Sequence, residues 1–119
     1  MDEKTLKARF MKFALSIVRL TSKFPKETVY FVITNQIIRA SSGAAANYRA
    51  ACRGRTKPDF INKLGVVEEE TDEAIFWLEF TIGVDAKWQP DITPIEREGN
   101  ELLSIIVASL KTSKLRYRK

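Results

Sequence analysis

Residues 4–22, KTLKARFMKFALSIVRLTS, set Leu6, Phe10, Phe13, Ile17 and Leu20 at spacings of four, three, four and three. That rhythm matches 3.6 residues per turn and draws one apolar stripe along an α-helix. Lys12, Arg19 and Lys23, with Arg9 beside them, fall well to one side of the stripe and read as a solvated face. Phe24-Pro25 ends the segment, because proline disfavours helical geometry at the residue before it.

The same period recurs three times. A second helix is expected over residues 26–52, where Val29, Ile33, Ile37, Ala40, Ala44 and Tyr48 keep helical spacing. A third, over 58–82, follows Phe60, Leu64, Val67, Thr71, Ala74/Ile75 and Leu78, with Thr56, Pro58 and Asp59 as its start signal. A fourth, over 94–115, follows Leu102/Leu103, Ile106 and Leu110, with Ile105 and Ser109 alongside. Its expected cap is Thr93, with Pro94 at the first position and Glu96 at the third, after a connection spanning residues 85–91. Four amphipathic helices joined by short loops predict an all-α, antiparallel up-down-up-down four-helix bundle. The 119 residues make one domain, 1–119.

The second helix carries seven small residues in a row, Ala40 to Ala46. Gly43 costs about 1 kcal/mol relative to alanine in a helix interior, so a compensating close approach is expected, within the chain or between subunits.

Composition excludes much chemistry. There is no histidine and one cysteine. That removes Ser-His-Asp and Cys-His catalysis, histidine-ligated zinc, four-thiolate zinc and the ferritin-type di-iron site. The expectation is a protein that is not an enzyme, with no catalytic residues, no metal site and no cofactor. No apolar run reaches membrane-spanning length and no signal-peptide pattern is present, which predicts a soluble, cytoplasmic protein with no membrane partner. Cys52 has neither a base nor a resolving thiol and reads as a packing residue.

Charge is segregated along the chain. Residues 1–57 carry twelve Lys/Arg against three Asp/Glu, a net +9. Residues 58–101 carry three against twelve, a net −9, and residues 102–119 carry five against none. The acidic block peaks at Glu68-Glu69-Glu70-Thr71-Asp72-Glu73, whose carboxylates repel one another within a helix unless cations face them. Partnering with arginines and lysines of the first two helices is the favoured reading, ahead of a metal site.

The candidate nucleic-acid residues are the basic ones. Arg39, Arg49 and Arg53 share an arc of the second helix, and Arg55 and Lys57 extend it into the connector. Arginine forks suit phosphate, and Tyr48 stands beside them as a candidate stacking surface. At the other terminus Lys111, Lys114, Arg116, Arg118 and Lys119 surround Tyr117. In an up-down bundle the connector, the tail and the start of the first helix, with Lys4 and Lys7, meet at one end. The competing reading is that these arginines pair with the acidic third helix.

Several strings also carry a family resemblance. Asn47-Tyr48-Arg49-Ala50-Ala51-Cys52-Arg53, then Phe60-Ile61-Asn62-Lys63-Leu64-Gly65, Glu69-Glu70-Thr71-Asp72-Glu73 and Phe76-Trp77-Leu78-Glu79 are joined by Phe24-Pro25-Lys26-Glu27 and Ala108-Ser109-Leu110-Lys111-Thr112. Together they resemble the bacterial four-helix bundle proteins associated with intervening sequences in 23S rRNA genes. The resemblance implies a homopentamer. It also implies an architecture similar to the accessory protein of diversity-generating retroelements, a basic barrel that binds nucleic acid and a reverse transcriptase. This chain departs from the pattern at Gly43, Ala44 and Ala45, where family members often place Ser, a β-branched residue and then Gly or Pro. The functional expectation is a non-enzymatic homo-oligomer binding structured RNA or DNA through basic patches. The alternative is a protein-assembly adaptor whose segregated charge serves subunit and partner docking.

Overall fold

The computed structural model describes residues 1–118, with Arg118 placed by its backbone alone. Four helices span Glu3–Thr21 (α1), Thr28–Cys52 (α2), Lys57–Val84 (α3) and Gln89–Arg118 (α4), and a single 3-10 turn, Ala86–Trp88, leads into α4. There is no strand among the described residues. The helices form a bundle in which α2 packs on α1 and α3, α4 packs on α3, and α4 closes more thinly on α1.

The stripes read from spacing form most of the core, with Val29 and Phe60 only half-buried against it and Tyr30 buried beside Val29. Leu6, Phe10, Phe13, Ile17 and Leu20 of α1 are buried, as are Ile33, Ile37, Ala40, Ala44 and Tyr48 of α2. Leu64, Val67, Thr71, Ala74, Ile75 and Leu78 of α3 meet Leu102, Ile106 and Leu110 of α4. Thr71 is tolerated in this apolar setting because its hydroxyl donates to the Val67 carbonyl at 2.7 Å. Capping fixes two starts: the Asp2 carboxylate accepts from the Thr5 N–H at 2.8 Å, and the Thr56 hydroxyl accepts from the Asp59 N–H at 3.2 Å.

The fourth helix corrects the sequence reading. It begins at Gln89 instead of near Pro94, and Pro94 lies inside it. Thr93 does not cap; its hydroxyl donates back to the Gln89 carbonyl at 2.8 Å. The cause is Trp88. Its indole N–H donates to the Tyr30 hydroxyl at 3.1 Å, and its ring meets Phe24 edge-on at 4.9 Å. This buried anchor ties the 3-10 turn to the α1–α2 corner, so α4 starts directly behind it and buries Ile92.

The small-residue run of α2 is divided between two neighbours. Gly43 faces α3, where a β-carbon would lie 3.3 Å from the Glu70 carboxyl carbon. Ser42, Ala45 and Ala46 face α1 across a surface groove.

Candidate nucleic-acid interface

The α2–α3 connector is short because its backbone is pinned at both ends. The Arg53 N–H donates to the Ala50 carbonyl at 3.1 Å and the Gly54 N–H to the Ala51 carbonyl at 2.9 Å, closing α2. Thr56 then caps α3 within two residues. Gly54 is required by close approach: a β-carbon there would stand 3.0 Å from the Ala51 carbonyl oxygen and 3.4 Å from the Phe60 nitrogen. A tight turn of this kind leaves Arg53 and Arg55 no core to enter, and both are exposed.

Three shallow hollows surround the start of α3. The first, about 370 Å3, is lined by Glu3 of α1, Cys52 and Arg55, Lys57 and Phe60 among others. The second, about 390 Å3, shares Lys57 and Phe60 and is completed by Ser109, Thr112, Ser113 and Arg116 of α4. The third, about 270 Å3, sets Pro58, Ile61 and Asn62 against Lys114 and Tyr117. The connector, the last turns of α4 and the first turn of α1 therefore meet at one end of the molecule. Lys57 stands over the Phe60 ring, its Nζ 5.7 Å from the centroid.

Among the described residues, Arg49, Arg53, Arg55, Lys57, Lys111, Lys114 and Arg116 form no salt bridge, and all seven are exposed. The side chain of Arg118 and the whole of Lys119 lie outside the described residues. Arg49 sits about one turn before the end of α2 and lines the mouth of the α1–α2 groove. The positive dipole end of α3 adds to this field, although Pro58 has no N–H to offer and Thr56 already takes those of Asp59 and Phe60. Glu3 and Asp59 stand at the same end, so the potential there is not uniformly positive.

Arg39 is separated from that cluster. Its guanidinium donates to Glu70 at 3.3 Å, to Glu73, and to the Gln36 side-chain oxygen at 3.3 Å. The bond to Glu73, reinforced by the charges of both carboxylates, raises its pKa further above the ordinary arginine value. Arg9 is likewise taken up: it forks onto Glu98 at 2.6 and 2.8 Å and reaches Glu101 at 2.9 Å, so it leaves the solvated face expected of it. The arginines are thus divided among the described residues: Arg9 and Arg39 answer acids, whereas Arg49, Arg53, Arg55 and Arg116 face water, as does Arg97 within α4.

Tyr48 is not available for base stacking. It is buried, with its ring stacked on Phe10 at 5.2 Å, and burial pushes its hydroxyl well above the ordinary tyrosine range. The exposed aromatic beside the cations is Tyr117. Cys52 packs against the core, and burial raises its thiol pKa, with the neighbouring Tyr48 hydroxyl opposing. Phe60, read as a stripe residue, and Asn62, quoted only within a resemblance string, line hollows; the signal available in the sequence for Phe60 was Lys57 three residues before it, one turn away on the same face. Among the described residues no group of three or more His, Cys, Asp or Glu could hold a metal ion, and no helix is long and apolar enough to cross a membrane.

The comparisons agree with this architecture. A family model described as 23S rRNA-intervening sequence protein matches residues 4–108. A crystal structure of a protein of unknown function from the S23 ribosomal protein family of Bacteroides thetaiotaomicron VPI-5482 is similar, with a TM-score of 0.84 and 29% identity. The match covers 93% of this chain and 99% of that one. Among curated proteins no sequence matches.

Proposed function

The chain belongs to the 23S rRNA-intervening sequence protein family, and on that premise we propose that it is a non-enzymatic homo-oligomer, a pentamer, that binds structured RNA or DNA in the cytoplasm through its basic end. The observation that carries the reading is the group of exposed cations around the α2–α3 connector and the last turns of α4, none of them in a salt bridge among the described residues. An exposed guanidinium with no internal acid is free to take phosphate, and arginine does so in a bidentate fork. Repetition around an oligomer adds weak contacts through multivalency.

Contacts along the helices support the up-down-up-down order on which that end depends. Arg9 meets Glu98 while Lys23, just past the end of α1, meets Asp91; Phe10 meets Tyr48 while Phe24, in the turn after α1, meets Tyr30. Each pairing runs one helix forward and its neighbour backward. The lack of histidine in the chain supports the non-enzymatic part.

The test is a salt titration of binding to a labelled RNA hairpin. About four phosphate contacts give a log–log slope of about −3 to −4, a loss of about a hundredfold in affinity between about 50 and 200 mM salt. A salt-independent affinity, or none at low salt, overturns the nucleic-acid reading and leaves the assembly-adaptor reading. That second reading draws on Glu69, Asp72 and Glu79, exposed carboxylates of α3 that take no cation among the described residues.

A further inference from the structure

The basic end leaves two exposed apolar features without a role. The first is the groove between α1 and α2, about 330 Å3, walled by Met11, Leu15 and Val18 on α1 and by Ile38, Ala45 and Ala46 on α2. Its walls are side chains that stop short of one another over a floor of small residues, so it is a recess with room for a foreign side chain. The second is a ridge on α3. Phe76 is 51% exposed and Phe80 41%, and their rings, 6.0 Å apart, both pack on Trp77. The rings support one another in a projecting position instead of entering the core.

The two features carry opposite charge. Beside the ridge stand Glu69, Asp72 and Glu79, all exposed and none in a salt bridge among the described residues. Arg49 lines the groove, Arg19 stands exposed next to Val18, and neither has an acid partner among the described residues. The acids of α1 and α2 are confined to Glu3 at one end and the flanking Asp2 and Glu27. The groove is therefore an apolar recess in a positive face, and the ridge an apolar projection in a negative one.

No chain can seat its own ridge in its own groove, because α1 and α3 lie diagonally across the bundle, with no Cα of one within 8 Å of a Cα of the other. We propose that a second copy of this chain seats the Phe76/Phe80 ridge of its α3 in the α1–α2 groove, with Glu69, Asp72 and Glu79 facing the unpartnered cations. The proposal rests on the oligomeric part of the preceding reading and supplies its interface. The contact is heterologous, one surface on each partner, so repetition closes a ring when the rotation allows. A long face of the 51 × 21 × 20 Å body has room for a standard interface of about 800 Å2 per partner.

A complementation experiment tests this. F76S/F80S removes the ridge, and L15E/A46E closes the groove and faces it with the like charges of α3. Light scattering at micromolar concentration should find the wild-type chain assembled and each variant alone monomeric, with helical circular dichroism unchanged. A 1:1 mixture should form a heterodimer and nothing larger, because only one intact groove and one intact ridge remain. Either variant keeping the wild-type mass overturns the proposal, as does a mixture that stays monomeric. If either variant loses its helical signal, E69K/D72K decides, since it alters no apolar side chain. It should raise the dissociation constant of the assembly about tenfold or more, and an unchanged constant overturns the proposal. A monomeric wild-type chain overturns the oligomer reading itself, whereas an assembled chain indifferent to these variants overturns only the ridge-in-groove contact.

Discussion

Replacing Gly99 by alanine should destabilise the bundle, although the same change normally strengthens a helix. Gly99 is buried inside α4, and a β-carbon there would lie 3.0 Å from Phe13 Cε1, 3.1 Å from Phe13 Cζ and 3.1 Å from Ile75 Cγ1. Carbon atoms settle at about 3.5–4.0 Å, so each neighbour must retreat by about half an ångström. They approach from α1 and α3, and both are buried, so retreat drives each into packed core. Overpacking of this kind costs about 1–3 kcal/mol, and the gain in helix propensity returns about 1 kcal/mol. The expected balance for Gly99→Ala is a loss of about 1 kcal/mol. Gly65, within α3, has nothing within 4 Å of its β-carbon position, so Gly65→Ala should gain up to about 1 kcal/mol. Urea unfolding followed by circular dichroism, at one fixed protomer concentration, reads both changes. In thermal melts each kcal/mol moves Tm by about 4 °C. A Gly99→Ala protein as stable as Gly65→Ala would refute the packing argument, because it would show that α1 and α3 yield freely at this point.

Other outcomes follow from single contacts. Tyr30→Phe removes the acceptor of the buried Trp88 indole N–H and should cost about 1–3 kcal/mol in urea unfolding, with Trp88→Phe in the same background costing less than it does alone. Arg39→Ala should leave affinity for an RNA hairpin and its salt slope unchanged in a binding titration, since that guanidinium is engaged by Glu70 and Glu73. Glu96 is raised above the ordinary carboxylate range by burial first and by its hydrogen bond with Glu79 second. The native state then holds more protons than the unfolded one between the ordinary and the raised value, so stability falls as pH rises through that window and stays lower above it. Glu96→Gln should therefore raise Tm at neutral pH and lose that advantage at acid pH below the ordinary carboxylate range.

The four helices were legible because burial on one face forces apolar residues into a 3.6-residue rhythm, and the stripe of α1 is buried as its spacing requires. Trp88 and Ile92 were not, because residues 85–91 read as a connection and Pro94 as a helix start, while the force that keeps the chain helical there is a contact with Tyr30, 58 residues away. Tyr48 shows a conflict internal to the sequence: its place in the α2 stripe already required burial, which excludes the stacking role its arginine neighbours suggested. Which arginines would pair was beyond the sequence, since charge counts are indifferent to helix rotation. Arg39 meets Glu70 and Glu73 because α2 and α3 cross with Gly43 against Glu70; Arg53 and Arg55 meet no acid because the helix has ended.

The central claim is that the connector end takes phosphate. The direct measurement is the salt slope of hairpin binding for the wild-type chain and for R53A/R55A/K57A, a variant that leaves Arg49 in place because it lines the α1–α2 groove. With helical content and assembled mass first shown equal by circular dichroism and light scattering, the variant should bind more weakly and its slope should flatten by about two to three units, close to one per lost phosphate contact. Equal affinity and an equal slope in the two proteins would contradict the account.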